Sequence, residues 1–209
     1  MEIRHAQTGD VLLEVEGTTL AGCQLADRDL SGALLSNADL RGANFQGTNL
    51  QGAMLTSSYL NEANLEGANL SGADLTDAKL VGCNLKKANL TRATLRYAQL
   101  TGAVLAGANL SAADLSSTDL RANLQGACLA EADFRGANLS GADLRRVQLF
   151  RAQMAGANLQ RADLTGADLQ GTSLKGAKMM GALDAGGKPF FSSAPQKSSR
   201  KSWWRFWSS

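Results

Sequence analysis

The chain has 209 residues, of which 44% are hydrophobic but only 5% are aromatic. Glycine occurs 22 times and proline twice, which excludes a collagen-like chain and a proline-rich disordered chain. The net charge of +2 balances 21 basic against 19 acidic residues, so total charge does not indicate a partner. Because bulky aromatic side chains are scarce, we expect a core built from many copies of one small unit.

Few residues offer metal-binding or catalytic chemistry. One histidine, His5, and three cysteines do not make a zinc site of the usual spacing, so we expect neither a metal, a cofactor nor enzymatic activity. An odd cysteine count without a secretory apolar segment favours a reducing compartment. No apolar run approaches the ~20 residues that span a bilayer. We therefore expect a soluble, cytoplasmic protein.

The first predicted element is a β-hairpin within residues 1–17. Residues 3–6 and 11–16 have strand character, and Gln7-Thr8-Gly9-Asp10 between them is typical of a turn. His5 lies in the first strand, so we interpret it as a structural residue. If the next element is a solenoid, a hairpin over its first coil would protect an open edge and oppose end-to-end polymerisation.

The second element is a repeat with a period of five residues. Leucine or a leucine-like residue occupies every fifth position from Leu20 to Leu120, and the series resumes from Leu124 to Met179. Alanine usually stands two residues before this central residue, Asn or Asp one before it, and Gly two after it, as in Ala68-Asn69-Leu70-Ser71-Gly72.

A period of five suits neither regular secondary structure. On a helix, successive leucines would step by about 140° and form no stripe, and in a straight strand an odd spacing would alternate them between faces. We therefore expect the chain to turn once per unit, with Leu and Ala inside and the Gly position easing the corner. Four such turns close a square coil of twenty residues, and successive coils stack about 4.8 Å apart.

The A-(N/D)-L-x-G pattern over residues 18–183 resembles the pentapeptide-repeat proteins. The resemblance implies an all-β fold, a right-handed quadrilateral β-helix of about eight coils, roughly 40 Å long. It also implies a stability close to a sum over neighbouring coils, with the two ends as weak points.

Several residues depart from the repeat. The unit Arg121–Leu124 has four residues, and we expect it to tighten one corner. Arg28 takes an inward alanine position, where a buried charge would be costly, so the first coil should be distorted. Cys23 and Cys83 share the inward small-residue position three coils apart, too distant for a disulfide, whereas Cys128 should expose its thiol.

The third element is the tail, residues 184–209. Glycine, proline, serine and basic residues predict a flexible basic linker that ends in a Trp-rich motif. For Phe190 and Phe191 two alternatives stay open: they fold back and cap the last coil, or they belong to the linker. For the terminal motif we favour an external partner, which is either an anionic membrane surface or a protein. The candidate contact residues are Lys197, Arg200, Lys201, Trp203, Trp204, Arg205, Phe206 and Trp207.

Charge is distributed unevenly along the chain. Residues 1–80 carry a net charge of −7, residues 81–183 a net charge of +5 and residues 184–209 a net charge of +4. The rod should therefore be acidic near the hairpin and basic near the tail. Basic residues that follow a central residue should point outward, over several faces of the rod: Lys86, Lys87, Arg92, Arg96, Arg145, Arg146 and Arg151.

Together these features favour a non-catalytic scaffold or protein-interaction module, with the tail as the element that would dock it to a membrane or to a partner. The partner is an unidentified protein, with nucleic acid and small-molecule substrates not expected. Some members of the resembled family bind DNA gyrase as acidic mimics of duplex DNA, and that is the alternative function. It finds support in the acidic first half and not in the basic second half. Exposed apolar residues that would form a contact patch are Leu34, Met54, Tyr59, Tyr97 and Val104.

Overall fold

The computed structural model describes residues 1–190, which begin with a two-stranded antiparallel hairpin. Strand β1 spans Glu2–Arg4 and strand β2 spans Val11–Glu14. Ile3 lies opposite Leu13, and the register shifts directly after Ile3. The hairpin predicted within residues 1–17 is therefore present, with shorter strands than the sequence indicated. Within the described range no helix is long and apolar enough to cross a membrane.

Beyond the hairpin the chain pairs with itself in parallel at a regular spacing. Gln24 pairs with Asn44 and Asn44 pairs with Asn64, and the same step continues to the pairing of Asp163 with Leu183, except in one coil that is a residue shorter. A step of twenty residues contains four five-residue units, so each coil has four short bridges separated by four turns. The chain is a β-helical solenoid, as the period of five predicts.

Backbone hydrogen bonds join each coil to both of its neighbours. Leu65 donates its N–H to the carbonyl of Asn84 at 2.7 Å, and Asn84 donates to the carbonyl of Ala63 at 3.0 Å. At the corner, Gly67 donates to the carbonyl of Lys86 at 2.9 Å. The polar groups of each short segment are thereby satisfied by the adjacent coil, as burial of the chain requires.

The interior consists of stacked central residues and the small residues two positions before them. Leu65 and Ala68 are 0% exposed, as are nearly all their counterparts along the rod. Four of the small-residue positions hold a buried hydroxyl, and each hydroxyl donates to a main-chain carbonyl; Thr118 bonds Leu95 at 2.9 Å. These polar replacements are tolerated because their hydroxyls remain hydrogen-bonded.

The corners need a left-handed backbone two residues after each central leucine. Gly72 has φ +65°, and fourteen non-glycine residues adopt the same conformation, among them Arg92 with φ +57°. Glycine is frequent at this position because it enters the left-handed region without a side-chain penalty.

The four-residue unit shortens one corner without opening the solenoid. Asn123 pairs with Val104, nineteen residues earlier, and the twenty-residue step resumes with the pairing of Asn123 and Asp143. Neither Arg121 nor Ala122 has a positive φ, and Ala122 is 7% exposed. The predicted tightened corner is confirmed.

Strand β1 and the two residues after it cover part of the N-terminal edge of the first coil. Leu34 donates its N–H to the carbonyl of Arg4 at 2.8 Å, and Ala6 donates to the carbonyl of Gly32 at 2.8 Å. The expected distortion of the first coil is wrong, since the Arg28 side chain is exposed and its carbonyl accepts a regular bond from the N–H of Asn49 at 2.9 Å. The first coil remains regularly paired because Arg28 leaves the interior for solvent.

The C-terminal edge is partly closed by the chain turning back on itself. Asp184 donates its N–H to the carbonyl of Lys188 at 2.8 Å, and Phe190 donates to the carbonyl of Ala182 at 2.7 Å. Phe190 packs against the core. Ordered pairing thus extends past the predicted boundary at residue 183, because residues 184–190 make a turn where the sequence indicated a linker. Phe191 and the rest of the tail lie outside the described residues.

Candidate interaction surface

The outward residue before each central leucine forms a column on one of four faces, and we name each face by a member of its column. The Val104 face carries Gln24, Asn44, Asn64, Asn84, Val104, Asn123, Asp143, Asp163 and Leu183. The amide face carries Asp29, Asn49, Asn69, Asn89, Asn109, Cys128, Gln148 and Asp168. The Met54 face carries Leu34, Met54, Asp74, Thr94, Asp114, Asp133, Gln153 and Ser173. The Tyr59 face carries Asp39, Tyr59, Lys79, Gln99, Asp119, Asn138, Asn158 and Lys178.

Asparagine ladders run up the faces and stabilise the turns. Asn69 donates its amide to Oδ1 of Asn49 at 3.1 Å, and Asn89 donates to Oδ1 of Asn69 at 3.1 Å. Each Oδ1 also accepts the backbone N–H two residues on, as Asn89 does from Thr91 at 3.2 Å. Asn and Asp recur at this position because they can bond their own turn in this way, so their abundance has a structural explanation.

Where an aspartate precedes the central residue and an arginine follows it, the two side chains pair. Arg135 bonds Asp133 at 2.6 Å, and its hydrogen bond holds the pKa of that carboxyl below the ordinary value. Arg145 does the same for Asp143, with the same lowering of the carboxyl pKa. In both pairs the arginine is exposed and the aspartate is largely covered, and the two charges neutralise each other.

A second group of cations remains without an acidic partner within residues 1–190. None of Lys86, Lys87, Arg92, Arg146 and Arg151 takes part in an ion pair there. All five are exposed at corners that border the amide face. The sequence named these residues as outward-facing but did not group them. Counting in steps of twenty, with the nineteen-residue step at Asn123, would have placed them on shared edges.

The exposed apolar residues do not form one patch. Leu34 and Met54 pair on adjacent coils, and they are 50% and 40% exposed. Tyr59 lies on the next face, and Tyr97 lies at the corner between these two faces. Val104 is only half-exposed and lies on the face opposite Met54. The predicted contact patch is therefore wrong as a single surface.

His5 lies at an open cavity of about 360 Å³ between the hairpin turn and the first two coils. Its Nδ1 accepts the N–H groups of Gln7 and Thr8 at 3.3 and 3.2 Å. The other cavity-lining side chains are Gln, Ser, Ala and Met, so the lining contains no carboxylate that could orient the imidazole. The geometry gives His5 a role in the turn.

The three cysteines are free thiols in different environments. Cys83 is buried in the core, and burial raises the pKa of its thiol to about 12. Cys23 is half-buried near the first coil. Cys128 is also half-buried, with its sulfur 3.1 Å from the Ser111 hydroxyl, so its thiol is less exposed than expected.

The candidate contact residues of the tail lie outside the described residues. They are Lys197, Arg200, Lys201, Trp203, Trp204, Arg205, Phe206 and Trp207. The surface that the structure does describe is the outside of the solenoid, where regularly spaced side chains stand on a continuous buried core.

Parallel coils of four short units around a Leu and Ala interior define a β-helical repeat protein. The family model for pentapeptide repeats matches with eight copies, over residues 19–56, 48–86, 83–121, 121–154 and 148–183. The chain belongs to the pentapeptide repeat family. No curated protein matches it in a sequence comparison.

Three solved structures illustrate its similarity to known proteins. HetL, a pentapeptide repeat protein involved in heterocyst differentiation regulation in the cyanobacterium Nostoc sp. strain PCC 7120, is 33% identical; the match covers 81% of this chain and 92% of HetL, with a TM-score of 0.46. QnrB1, a plasmid-mediated fluoroquinolone resistance protein, is 26% identical over 69% of this chain and 76% of QnrB1, with a TM-score of 0.46. A thylakoid-lumen protein from Arabidopsis thaliana is 29% identical over 56% of this chain and 68% of its own, with a TM-score of 0.21.

Proposed function

We propose that this protein is a non-catalytic scaffold that displays side chains on a rigid β-helical rod and docks to a partner or an anionic membrane through its tail. In this proposal the rod is a right-handed, four-sided helix of about eight coils. The protein works in the cytoplasm, in part at the inner surface of a membrane, and needs no cofactor.

The observation that carries the proposal is the separation of fold and surface. Core residues such as Leu65 and Ala68 are fully buried, whereas the outward positions share one backbone geometry whatever residue they hold. Asn84 and Val104, for example, stack on the same face in the same pairing. A surface that varies without disturbing the core suits recognition of a partner.

The tail supplies the docking element in this proposal. Its basic residues, such as Lys197 and Arg200, favour anionic head groups, and tryptophans such as Trp203 and Trp207 favour the membrane interface. Lys188 adds a further exposed cation at the end of the rod from which the tail departs.

Flotation with liposomes tests the proposal. Full-length protein is compared with a form that ends at Phe190, since this end preserves the pairing of Phe190 with Ala182. We expect salt-sensitive flotation of the full-length protein with anionic vesicles and little with neutral vesicles, and loss of flotation in the shorter form. Equal behaviour of the two forms on anionic vesicles would reject membrane docking by the tail.

Inhibition of DNA gyrase by mimicry of duplex DNA is the alternative. Its support is the net charge of −7 over residues 1–80. The basic corners of the second half oppose it, because a DNA mimic needs negative charge along its length. Inhibition of supercoiling at low protein concentration would favour this alternative over a scaffold.

A further inference from the structure

The amide face has an uncharged middle section. Between Asn49 and Gln148 every residue of its column is Asn, Gln or Cys, and carboxylates appear only at the two ends, Asp29 and Asp168. The residues that follow the central leucines on this face include Thr91 and Ser111. Those two residues are half-buried, as are Asn89 and Cys128 of the column, whereas Asn109 and Gln148 are exposed, so the middle section is polar and on the whole less exposed than its corners.

Long cations stand at both edges of this section. Lys87 and Arg146 occupy the corner before the amide face, three coils apart, and Arg92 and Arg151 occupy the corner after it at the same two levels. All four are exposed, have a left-handed backbone and form no ion pair within residues 1–190. We call these four residues the rim cations.

The stems of three rim cations lie along the edges of the rod. A Cβ built on the glycine one coil further on would come within 3.8 Å of Cγ of Lys87, 3.3 Å of Cγ of Arg146 and 3.2 Å of Cγ of Arg151. The glycines at those corners thus leave room for the stems. The Arg151 guanidinium lies 4.8 Å from the centre of the Phe150 ring, which belongs to the amide face.

Some cations on the other faces are neutralised by an aspartate, although Lys79 and Lys178 on the Tyr59 face form no ion pair within residues 1–190. On the Met54 face Arg135 is paired with Asp133, and on the Tyr59 face Arg121 is paired with Asp119. The rim cations stand one residue further on than Arg121 and Arg135, at the corners, and none of them forms an ion pair within residues 1–190. The face is therefore a polar trough with two positive rims.

The dimensions of the trough match an extended peptide. Three coils separate the rim cations along each edge by about 14 Å, and in a β-strand two side chains four residues apart are also about 14 Å apart and point the same way. We infer that the amide face between Asn89 and Gln148, with the rim cations Lys87, Arg92, Arg146 and Arg151, binds an extended acidic peptide segment of a partner protein. The inference rests on the proposed role as an interaction scaffold and adds the chemistry of the partner.

Two other anionic partners fit the trough less well. Proteins that bind single-stranded nucleic acid stack successive bases on several aromatic side chains, and this face offers Phe150, which already lies under Arg151. A membrane surface favours protruding apolar and aromatic groups, whereas the column between Asn49 and Gln148 contains only Asn, Gln and Cys, and the Phe150 ring is covered by Arg151.

The test is fluorescence anisotropy of a labelled peptide with full-length protein. The probe is rich in Thr and Gln and carries two adjacent glutamates and two more that follow them at a distance of four residues. A second peptide of the same composition has its four glutamates in one contiguous run. We expect the spaced peptide to bind more tightly than the contiguous one, with an affinity that falls as salt rises.

A fourfold variant removes the rims without harming the fold. Lys87→Gly, Arg92→Gly, Arg146→Gly and Arg151→Gly place glycine where other corners of the same rod already have it. Affinity should fall about tenfold, the loss expected from four exposed ion pairs.

The control variant removes four positive charges from the far side of the rod. It carries Lys79→Gln, Arg161→Gly, Lys175→Gln and Lys178→Gln, and its affinity should stay within about twofold of the parent. Equal loss in both fourfold variants, or no preference for the spaced peptide, would overturn the inference. Tighter, rim-dependent binding of an oligothymidylate of equal charge would overturn it in favour of nucleic acid.

A single substitution tests the sign of the effect. Glu131 lies on the same edge between Arg92 and Arg151 and also has a left-handed backbone, with φ +61°. Glu131→Gly should strengthen peptide binding about twofold because it removes a repelling charge. Weaker binding would contradict the inference. Liposome flotation depends on the tail and peptide binding on the rims, so either idea can fail without the other.

Discussion

Replacing Gly72 by alanine tests how the corners determine the fold. Gly72 has φ +65°, and a Cβ at this position would meet no atom within 4 Å, so the substitution changes backbone preference without a clash. The left-handed conformation costs an L-residue roughly 1–2 kcal/mol. The smaller freedom of unfolded alanine offsets about 0.4–1 kcal/mol of that cost. The free energy of unfolding should therefore fall by about 1 kcal/mol.

The reverse substitution lies on the same edge, two coils further on. Ala112 is exposed and has φ +55°, so Ala112→Gly should raise the free energy of unfolding by about 1 kcal/mol for the same reason. Urea unfolding followed by circular dichroism measures both changes, which correspond to about 2–4 °C in Tm for a chain of this length.

A third variant separates strain from crowding. At Gly171 a Cβ would lie 3.2 Å from Cγ of Arg151, so Gly171→Ala should be more destabilising than Gly72→Ala. Arg151 also has a left-handed backbone, so Arg151→Gly is stabilising by itself, and the comparison is made in that background: relative to Arg151→Gly alone, Gly171→Ala should cost no more than Gly72→Ala does in the parent. The reasoning would be refuted if Gly72→Ala unfolded at the same urea concentration as the parent, or if Ala112→Gly were destabilising.

Two further outcomes follow from the thiols and the aspartate pairs. Cys83 should resist a disulfide reagent at about pH 8 while Cys128 reacts, because burial keeps the Cys83 thiol protonated. Mass spectrometry of the labelled peptides measures the two reactions. Equal labelling of both cysteines would contradict the burial of Cys83 in the core. Asp133 has a lowered pKa in the folded state, so its stabilisation is present above the ordinary aspartate pKa and is lost as pH falls through the lowered value. The Asp133→Asn variant should therefore lose less stability than the parent as the pH falls from about 5, measured as Tm against pH. If the variant and the parent lost Tm equally over this range, the pair of Asp133 with Arg135 would contribute nothing to stability.

The repeat was readable from the sequence because each unit repeats the same local requirements. Leu and Ala at fixed positions satisfy the interior, and Asn or Asp and Gly satisfy the turn, as Asn69 and Gly72 do in one unit. A strict period also fixed the register of the coils, so the pairing of Asn69 with Asn89 followed from counting. The hairpin was readable for a similar reason, since its signals are local.

The misreadings concern residues whose surroundings depend on an end of the rod or on neighbouring coils. Arg28 was expected to distort the first coil, but its side chain reaches solvent and the coil stays regularly paired. Residues 184–190 resemble a linker in composition, yet the exposed edge of the last coil pairs with Phe190. The contact patch failed because Val104 stacks on a different face from Met54.

The sequence alone determined the class of fold, since a five-residue period of buried leucines allows only a chain that turns once per unit. The tertiary structure decided which surface residues are neighbours. Lys87 and Arg146 are far apart in sequence and share one edge, because stacking relates residues by whole coils and one coil is a residue short. It also decided which cations keep their charge: Arg145 is neutralised by Asp143, whereas Arg146 beside it has no acidic partner in the described part of the chain. Charge pairing depends on side-chain positions in space, and composition does not contain them.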